Sequence, residues 1–375
     1  MLPVYINGRF LTQPTTGVQR FAAEVVTALD KLLADCQPAH LPQGGVQLLV
    51  PQDARQQLCL RYIRTRRIGR LKGHLWEQLE LAGASSDGVL VGLANTGPLG
   101  HPRQLVTIHD ASVFANPGNF SLAFRSWYRL LIPRLGQRAK KILTVSEFSK
   151  SELIRYCRFP ETKIEVVYNG VDHIIREPAD PYFLLDRNIK ARSYFLCVAT
   201  SSPNKNIGLV MDALRFLDDL DLDLVTVGTA DPKVFSEPGI SRNHRMHELG
   251  YVSDSQLRAL YENALCFVFP SLYEGFGIPP LEAMACGCPV IVAKTSALPE
   301  SCGDCALYCD SYDARALANQ IRLLRHDLAL HLRLKNLGKE RSSKFTWKAC
   351  AQHVLAVLSK MAFGYSQPHR TATAE

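Results

Sequence analysis

A chain of 375 residues, 47% hydrophobic and 21% charged, has the composition of a soluble globular protein and the length of about two domains. No apolar run reaches the roughly 18 residues that cross a bilayer, and MLPVYINGRF is not a signal peptide; the 11 scattered cysteines therefore read as reduced cytosolic thiols. The charge is lopsided, with 21 Lys and Arg against 12 Asp and Glu up to residue 170 and 22 against 23 beyond it.

In chain order, VYI (4–6) reads as the first strand. TTGVQRFAAEVVTALDKLL follows as a helix, with Val18, Phe21, Val25, Leu29 and Leu32 on one face. Thr15 or Thr16 caps it ahead of Gly17, so a helix N-terminus, a ready anion site, lies at the end of strand one. GxGxxG is absent from this turn, which argues against a dinucleotide. After the strand VQLLV (46–50) comes RYIRTRRIGRLK, where Arg61, Arg64, Arg66, Arg67, Arg70 and Lys72 occur without an acid. This stretch is either a solvated loop or a contact with an anionic membrane surface or acidic acceptor; no nucleic-acid motif accompanies it.

Further strands are VLVGL (89–93), QLVTI (104–108), KILTV (141–145) and IEVVY (164–168). The pattern restarts after a linker near 173–190 with YFLCVA (194–199), LDLVTV (222–227), LCFVF (265–269), PVIVA (289–293) and ALYC (306–309). Near-continuous apolar strands alternating with helices predict parallel sheets covered on both faces, and the restart predicts two doubly wound α/β domains in tandem. Cys302, Cys305 and Cys309, with Cys286 and Cys288 nearby, lack a second CxxC and read as small core residues rather than a zinc site. The string Asp221–Asp223 reads as a solvated turn before a strand. TWKACAQHVLAVLSKMAF is a last helix with Trp347, Cys350, Val354, Val357 and Met361 aligned, and the chain after Tyr365 reads as disordered.

The chemistry concentrates in FPSLYEGFGIPPLEAMACGCPV. SLYEGFG is the loop at the carboxyl end of a buried strand, where open α/β sheets bind ligands. Gly275 and Gly277 let backbone N–H groups approach a ligand, and Pro279 and Pro280 suit the start of a helix bearing Glu282 in its first turn. Glu274 on the loop and Glu282 on the helix would face different parts of one elongated ligand, and carboxylates suit sugar or ribose hydroxyls.

EGFGIPPLEAMACGCPVI resembles the EX7E signature of retaining GT-B glycosyltransferases, specifically glycosyltransferase family 4. HLWEQ (74–78), NTGP (95–98), TIHD (107–110), TVSEFSK (144–150), YNGVD (168–172), PNKN (203–206), LGYVSD (249–254) and ALPESCGDCAL (297–307) follow in the family's order, so the resemblance covers nearly the whole chain. It implies two Rossmann-like domains with the site in the cleft between them. The acceptor domain would be 1–172 with a crossing helix 346–365, the donor domain 173–345, and 366–375 a tail.

It implies a nucleotide-diphosphate sugar donor, with Glu282 on the ribose and Glu274 on the transferred sugar amid the N–H groups of Gly275, Phe276 and Gly277. Lys205 and Gly17 would hold the diphosphate, the base would lie near Gly250, Tyr251 and Val252, and His109 would reach the sugar. Asn169 and Asp172 would order the cleft, Trp347 would open the crossing helix, and Trp76 and Glu77 are candidates on the acceptor side. Ser146 and Ser149 read as helix caps. The sequence departs from the family where an Arg is often found shortly before the Lys: CVATSSPNKN has Thr200 and Asn204 there, with Arg242 or Arg245 as candidate substitutes.

The implied reaction is front-face transfer with retention, the leaving diphosphate taking the acceptor proton, with no metal and no cofactor. The expectation is a cytoplasmic hexosyltransferase, peripheral at the inner membrane face, moving a hexose, mannose from GDP-mannose by family analogy, to a lipid-linked saccharide in surface polysaccharide assembly. The alternatives are a transferase acting on a soluble sugar or metabolite, and a sugar-nucleotide-binding protein that has lost catalysis.

Overall fold

The computed structural model describes residues 2–35, 45–198, 202–228 and 245–363, with backbone alone for 362 and 363. Seven parallel strands form the first sheet: β1 (Val4–Asn7), β2 (Val46–Val50), β3 (Arg64–Arg67), β4 (Val89–Gly92), β5 (Gln104–Thr107), β6 (Lys141–Thr144) and β7 (Ile164–Val166), in the order β3-β2-β1-β4-β5-β6-β7. Six more form the second: β8 (Tyr194–Val198), β9 (Asp223–Val227), β10 (Met246–Glu248), β11 (Cys266–Phe269), β12 (Val290–Ala293) and β13 (Leu307–Cys309), in the order β10-β9-β8-β11-β12-β13. The central strands β1, β4, β11 and β12 are buried along their whole length, as apolar strands covered on both faces must be. Strand order reverses beside β1 in one sheet and beside β8 in the other, which opens a crevice at the carboxyl edge of each.

The helices that position the site are α1 (Gly17–Ala34), α2 (Leu122–Arg138), α3 (Glu147–Cys157), α4 (Ile207–Arg215), α5 (Asp254–Asn263), α6 (Ile278–Ala285), α7 (Ala314–His326), α8 (Leu328–Ser342) and α9 (Trp347–Phe363). Helix α1 buries Phe21, Ala22, Val25, Val26 and Leu29, and its N-cap is Thr16. The last helix returns to the first: Trp347 lies with its ring 6.0 Å from that of Phe21. At that crossing Gly170 passes so close that a Cβ on it would stand 2.2 Å from the Trp347 nitrogen, which accounts for the glycine. The tail 366–375 lies outside the described residues. No helix among the described residues is long and apolar enough to cross a membrane.

One element differs from the sequence reading. The basic stretch is not a loop throughout: Arg64–Arg67 pairs with Gln47–Val50 as an edge strand. The cause is local. The Asp30 carboxylate on α1 accepts the N–H groups of Arg61, Tyr62 and Ile63 at 2.7–2.9 Å, and the buried Ile63 side chain anchors the entry. The string at Asp221–Asp223 lies at the entrance to β9, as the sequence indicates, with Asp223 opening the strand and pairing with His247 at 3.0 Å. Cys302 and Cys309 are buried, and burial pushes each thiol up to about 12.

Candidate active site

The loop after β11 and the turn after β8 meet at the carboxyl edge of the second sheet. There Lys205 Nζ lies 2.5 Å from Glu274 Oε1, and Ser271 Oγ donates to the same oxygen at 2.6 Å. Lys205 also stands over the Phe269 ring at 4.6 Å, and Ser296 Oγ accepts the Glu274 N–H at 2.9 Å. These are the two residues to which the family resemblance assigns the donor's sugar and diphosphate, and both are only partly exposed. Gly277 adopts φ 96°, in the left-handed region that favours glycine, and hands the chain to α6.

The first sheet supplies the opposite wall. A Cβ on Gly275 would fall 2.9 Å from the His109 carbonyl oxygen and 3.1 Å from Asp110 Cβ, so the glycine loop presses directly on the TIHD turn. Ser146 and Ser149 both donate to the Gly275 carbonyl, at 2.6 and 3.0 Å. Ser146 also accepts the Ser149 N–H, so it is a cap, as the sequence indicates, and a clasp as well. Glu300 reaches across to accept the N–H groups of Glu147 and Phe148 at the start of α3. Gly17 faces Ile278 at the start of α6, which brings the N-termini of α1 and α6 together.

His109 is buried; its Nε2 donates to the Leu93 carbonyl at 3.0 Å and its ring meets Phe21 edge-on at 4.7 Å. Burial lowers its pKa to about 4, so the imidazole is neutral near pH 7 and its Nδ1 is the acceptor. Asp110, which the sequence reading passed over, lies near enough to Glu274 and Lys205 to feel both charges. Burial holds its carboxyl above the usual range, opposed by the Ser112 N–H and the Lys205 charge and assisted by Glu274.

Glu282 sits on α6 and is almost wholly buried, with His173 Nε2 at 2.8 Å on one oxygen and the Tyr261 hydroxyl at 3.4 Å on the other. Val252 and Gly250 follow β10 beside the exposed Tyr251, and Gly250 accepts the Gly228 N–H. Arg20 of α1 forks onto Asp254 at the start of α5, both bonds 2.7 Å, another link between the two sheets' units that sequence order conceals. Asp172 accepts the Trp347 N–H at 2.7 Å, and Asn169 keeps a buried Oδ1 with no hydrogen-bond partner among the described residues.

Three candidates do not stand where they were expected. Trp76 is fully buried, packed with Tyr5, Leu49, Leu81 and Leu90 and donating its indole N–H to Ile68, so it cannot touch an acceptor. Glu77 is also fully buried, because Asn7, Arg9, Thr96 and His74 all converge on its carboxylate. Burial pushes that carboxyl up, but the His74 bond, the Arg9 charge and the other donors bring it below the ordinary range, so Glu77 is a structural hub beneath the acceptor side. Arg245 is committed to the Leu214, Leu217 and Leu220 carbonyls and to Asp218, and so is no substitute for the family arginine. Thr200 and Arg242 lie outside the described residues.

Comparison with known proteins shows the family. The family model "Glycosyl transferases group 1" matches residues 186–341, and "Glycosyltransferase Family 4" matches 57–174. The chain is 31% identical over 275 residues to O-antigen chain mannosyltransferase B of Escherichia coli, covering 68% of this chain and 69% of that protein. It is 30% identical over 226 residues to O-antigen chain mannosyltransferase RfbU of Salmonella typhimurium, covering 59% of this chain and 60% of the relative. Among solved structures, Anabaena HepE in complex with UDP-glucose superposes with a TM-score of 0.72 at 16% identity, over 96% of this chain and 100% of that one, a likeness of fold.

Proposed function

The chain belongs to glycosyltransferase family 4, and from that premise we propose that it moves a hexose, mannose from GDP-mannose, onto a lipid-linked saccharide with retention. The observation that carries this reading is the Lys205–Glu274 pair at the strand ends, facing the His109–Asp110 turn across the cleft. A sugar nucleotide entering there brings a diphosphate to Lys205 and hydroxyls to Glu274, exchanging one ion pair for two sets of charge-assisted hydrogen bonds. Residues 1–172 with 346–365 form the acceptor half, and 173–345 the donor half. The relatives' names support mannose and a polysaccharide acceptor, and the UDP-glucose complex of a structural neighbour supports a nucleotide-sugar donor.

The chemistry is positioning and electrostatics. Lys205 and the N-terminus of α1 at Gly17 stabilise charge growing on the leaving diphosphate, whose oxygen takes the acceptor's proton. Glu274, Gly275, Phe276 and Gly277 hold the sugar, and neutral His109 accepts a hydroxyl. No metal enters this scheme, since Lys205 supplies the cation. The acidic string at Asp221–Asp223 lies at the amino edge of its sheet, a five-residue strand or roughly 17 Å from the carboxyl edge.

We propose that the first half of α2 docks on the membrane together with the basic stretch at 61–72. Leu122, Trp127 and Leu130 are 69, 37 and 49% exposed, Arg125, Arg129, Arg134 and Arg138 share the helix, and no acid occurs between Asp110 and Glu147. The His74 ring lies 5.2 Å from that of Trp127, which joins this helix to the Arg70–Lys72 stretch. The direct test is a thermal-shift panel of GDP, UDP, ADP and their sugars, followed by the anomeric configuration of the product. GDP-mannose should raise Tm most. No response to any of them, or an inverted product, would refute the assignment.

A further inference from the structure

An unbroken chain of buried hydrogen bonds runs from the crossing helix to Glu282. Trp347 Nε1 donates to His173 Nδ1 at 3.0 Å, and His173 Nε2 lies 2.8 Å from Glu282 Oε1. An indole N–H can only donate. It therefore makes His173 Nδ1 the acceptor and leaves the proton of a neutral imidazole on Nε2, aimed at the carboxylate. The Tyr261 hydroxyl fills one site on the other oxygen. A carboxylate offers about four lone-pair sites, so about two remain, the number a ribose diol would fill. His173 lies in the segment that passes between the two sheets, and its neighbour Asp172 accepts the first N–H of α9.

We infer that His173 is a positioning residue for the donor. It holds the Glu282 carboxylate in the one orientation that leaves its free lone pairs for the ribose hydroxyls, and Trp347 sets the tautomer that makes this bond. The inference rests on reading Glu282 as the ribose carboxylate. It separates orientation from chemistry: loss of His173 weakens nucleotide binding through the ribose alone and leaves the transfer step intact. It also ties nucleotide occupancy to the start of the crossing helix.

The test is calorimetric binding of GDP, UDP and ADP, each against its 2′,3′-dideoxy form, to the native protein, Glu282→Gln, His173→Phe and His173→Gln. In the native protein the dideoxy form of the preferred nucleotide should bind at least ~10-fold more weakly. His173→Phe should lose at least ~10-fold for the ribose form and less than ~2-fold for the dideoxy form, a coupling that a merely structural role would not produce. KM for the donor should rise with kcat within ~3-fold, and His173→Gln, which keeps an N–H toward Glu282, should recover most of the loss.

Equal weakening of both nucleotide forms by His173→Phe, or none, overturns the inference while the ribose reading stands. Indifference of the native protein and Glu282→Gln to the ribose hydroxyls removes the ribose reading, and the inference with it. Should His173→Phe fail to fold, the native protein still decides. Its Trp347 indole N–H resonance, identified by its loss in Trp347→Phe, should shift with a ribose diphosphate and not with the dideoxy form; a resonance unmoved by all three diphosphates overturns the inference.

Discussion

Glu274 and Lys205 hold one another at 2.5 Å, at the place proposed for the donor. Glu274→Ala leaves Lys205 on the Phe269 face and removes the sugar's acceptor, so turnover should fall at least ~100-fold with the fold retained. Steady-state rates and a melting curve check this; near-native turnover would refute the role. His109 gives a pH prediction with a fixed sign. Its pKa is about 4 in the folded protein, against about 6.5 unfolded, so between these values the unfolded chain binds more protons and stability rises with pH. The gap is worth about 3 kcal/mol, lost as pH falls from 6.5 to 4, and His109→Gln should flatten urea-unfolding stability across that window. Glu274 and Glu282 were legible in the sequence because fixed spacing beside glycines and prolines marks them, whereas Lys205 was legible only through the family resemblance of PNKN. Asp110, His173 and Arg20 were not, because each meets the site through partners remote in sequence, Glu274, Glu282 and Asp254 respectively, which no local pattern records.

At the scale of elements, apolar strands announced themselves, whereas β3 and β10 did not. Both are short edge strands, RTRR and MHE, whose polar side chains are what protects an edge from unwanted pairing. Helix α3 shows how one element serves both walls of the cleft. Its cap Ser146 also donates to Gly275, and Ser149 one turn on donates to the same carbonyl. Ser146→Ala removes a cap and a loop bond together and should cost about 2 kcal/mol in urea unfolding; Ser149→Ala removes only the loop bond and should cost about 1 kcal/mol. Donor KM should rise in both, because the glycine loop loses its anchor. Equal costs in the two variants would show that Ser146 serves only one of these purposes.

At the scale of the whole molecule, the basic excess of the first half has two locations with different surroundings. Arg64, Arg66 and Arg67 project from an edge strand with no exposed apolar side chain on it, whereas α2 mixes four arginines with Leu122, Trp127 and Leu130. A bilayer surface rewards both kinds of side chain: each Lys or Arg near anionic lipid is worth about 1 kcal/mol, and apolar groups add by burial among the acyl chains. The α2 face should therefore dominate attachment and β3 assist it. Sedimentation with neutral and with anionic vesicles, at low and high salt, tests this ranking. The native protein should bind anionic vesicles and lose part of that binding as salt shortens the Debye length. Changing Leu122, Trp127 and Leu130 to Ser should abolish the salt-resistant part, while changing Arg64, Arg66 and Arg67 to Ser should trim only the salt-sensitive part. Binding that ignores lipid charge and all six side chains would leave α2 without a membrane, and a soluble saccharide would then become the better acceptor.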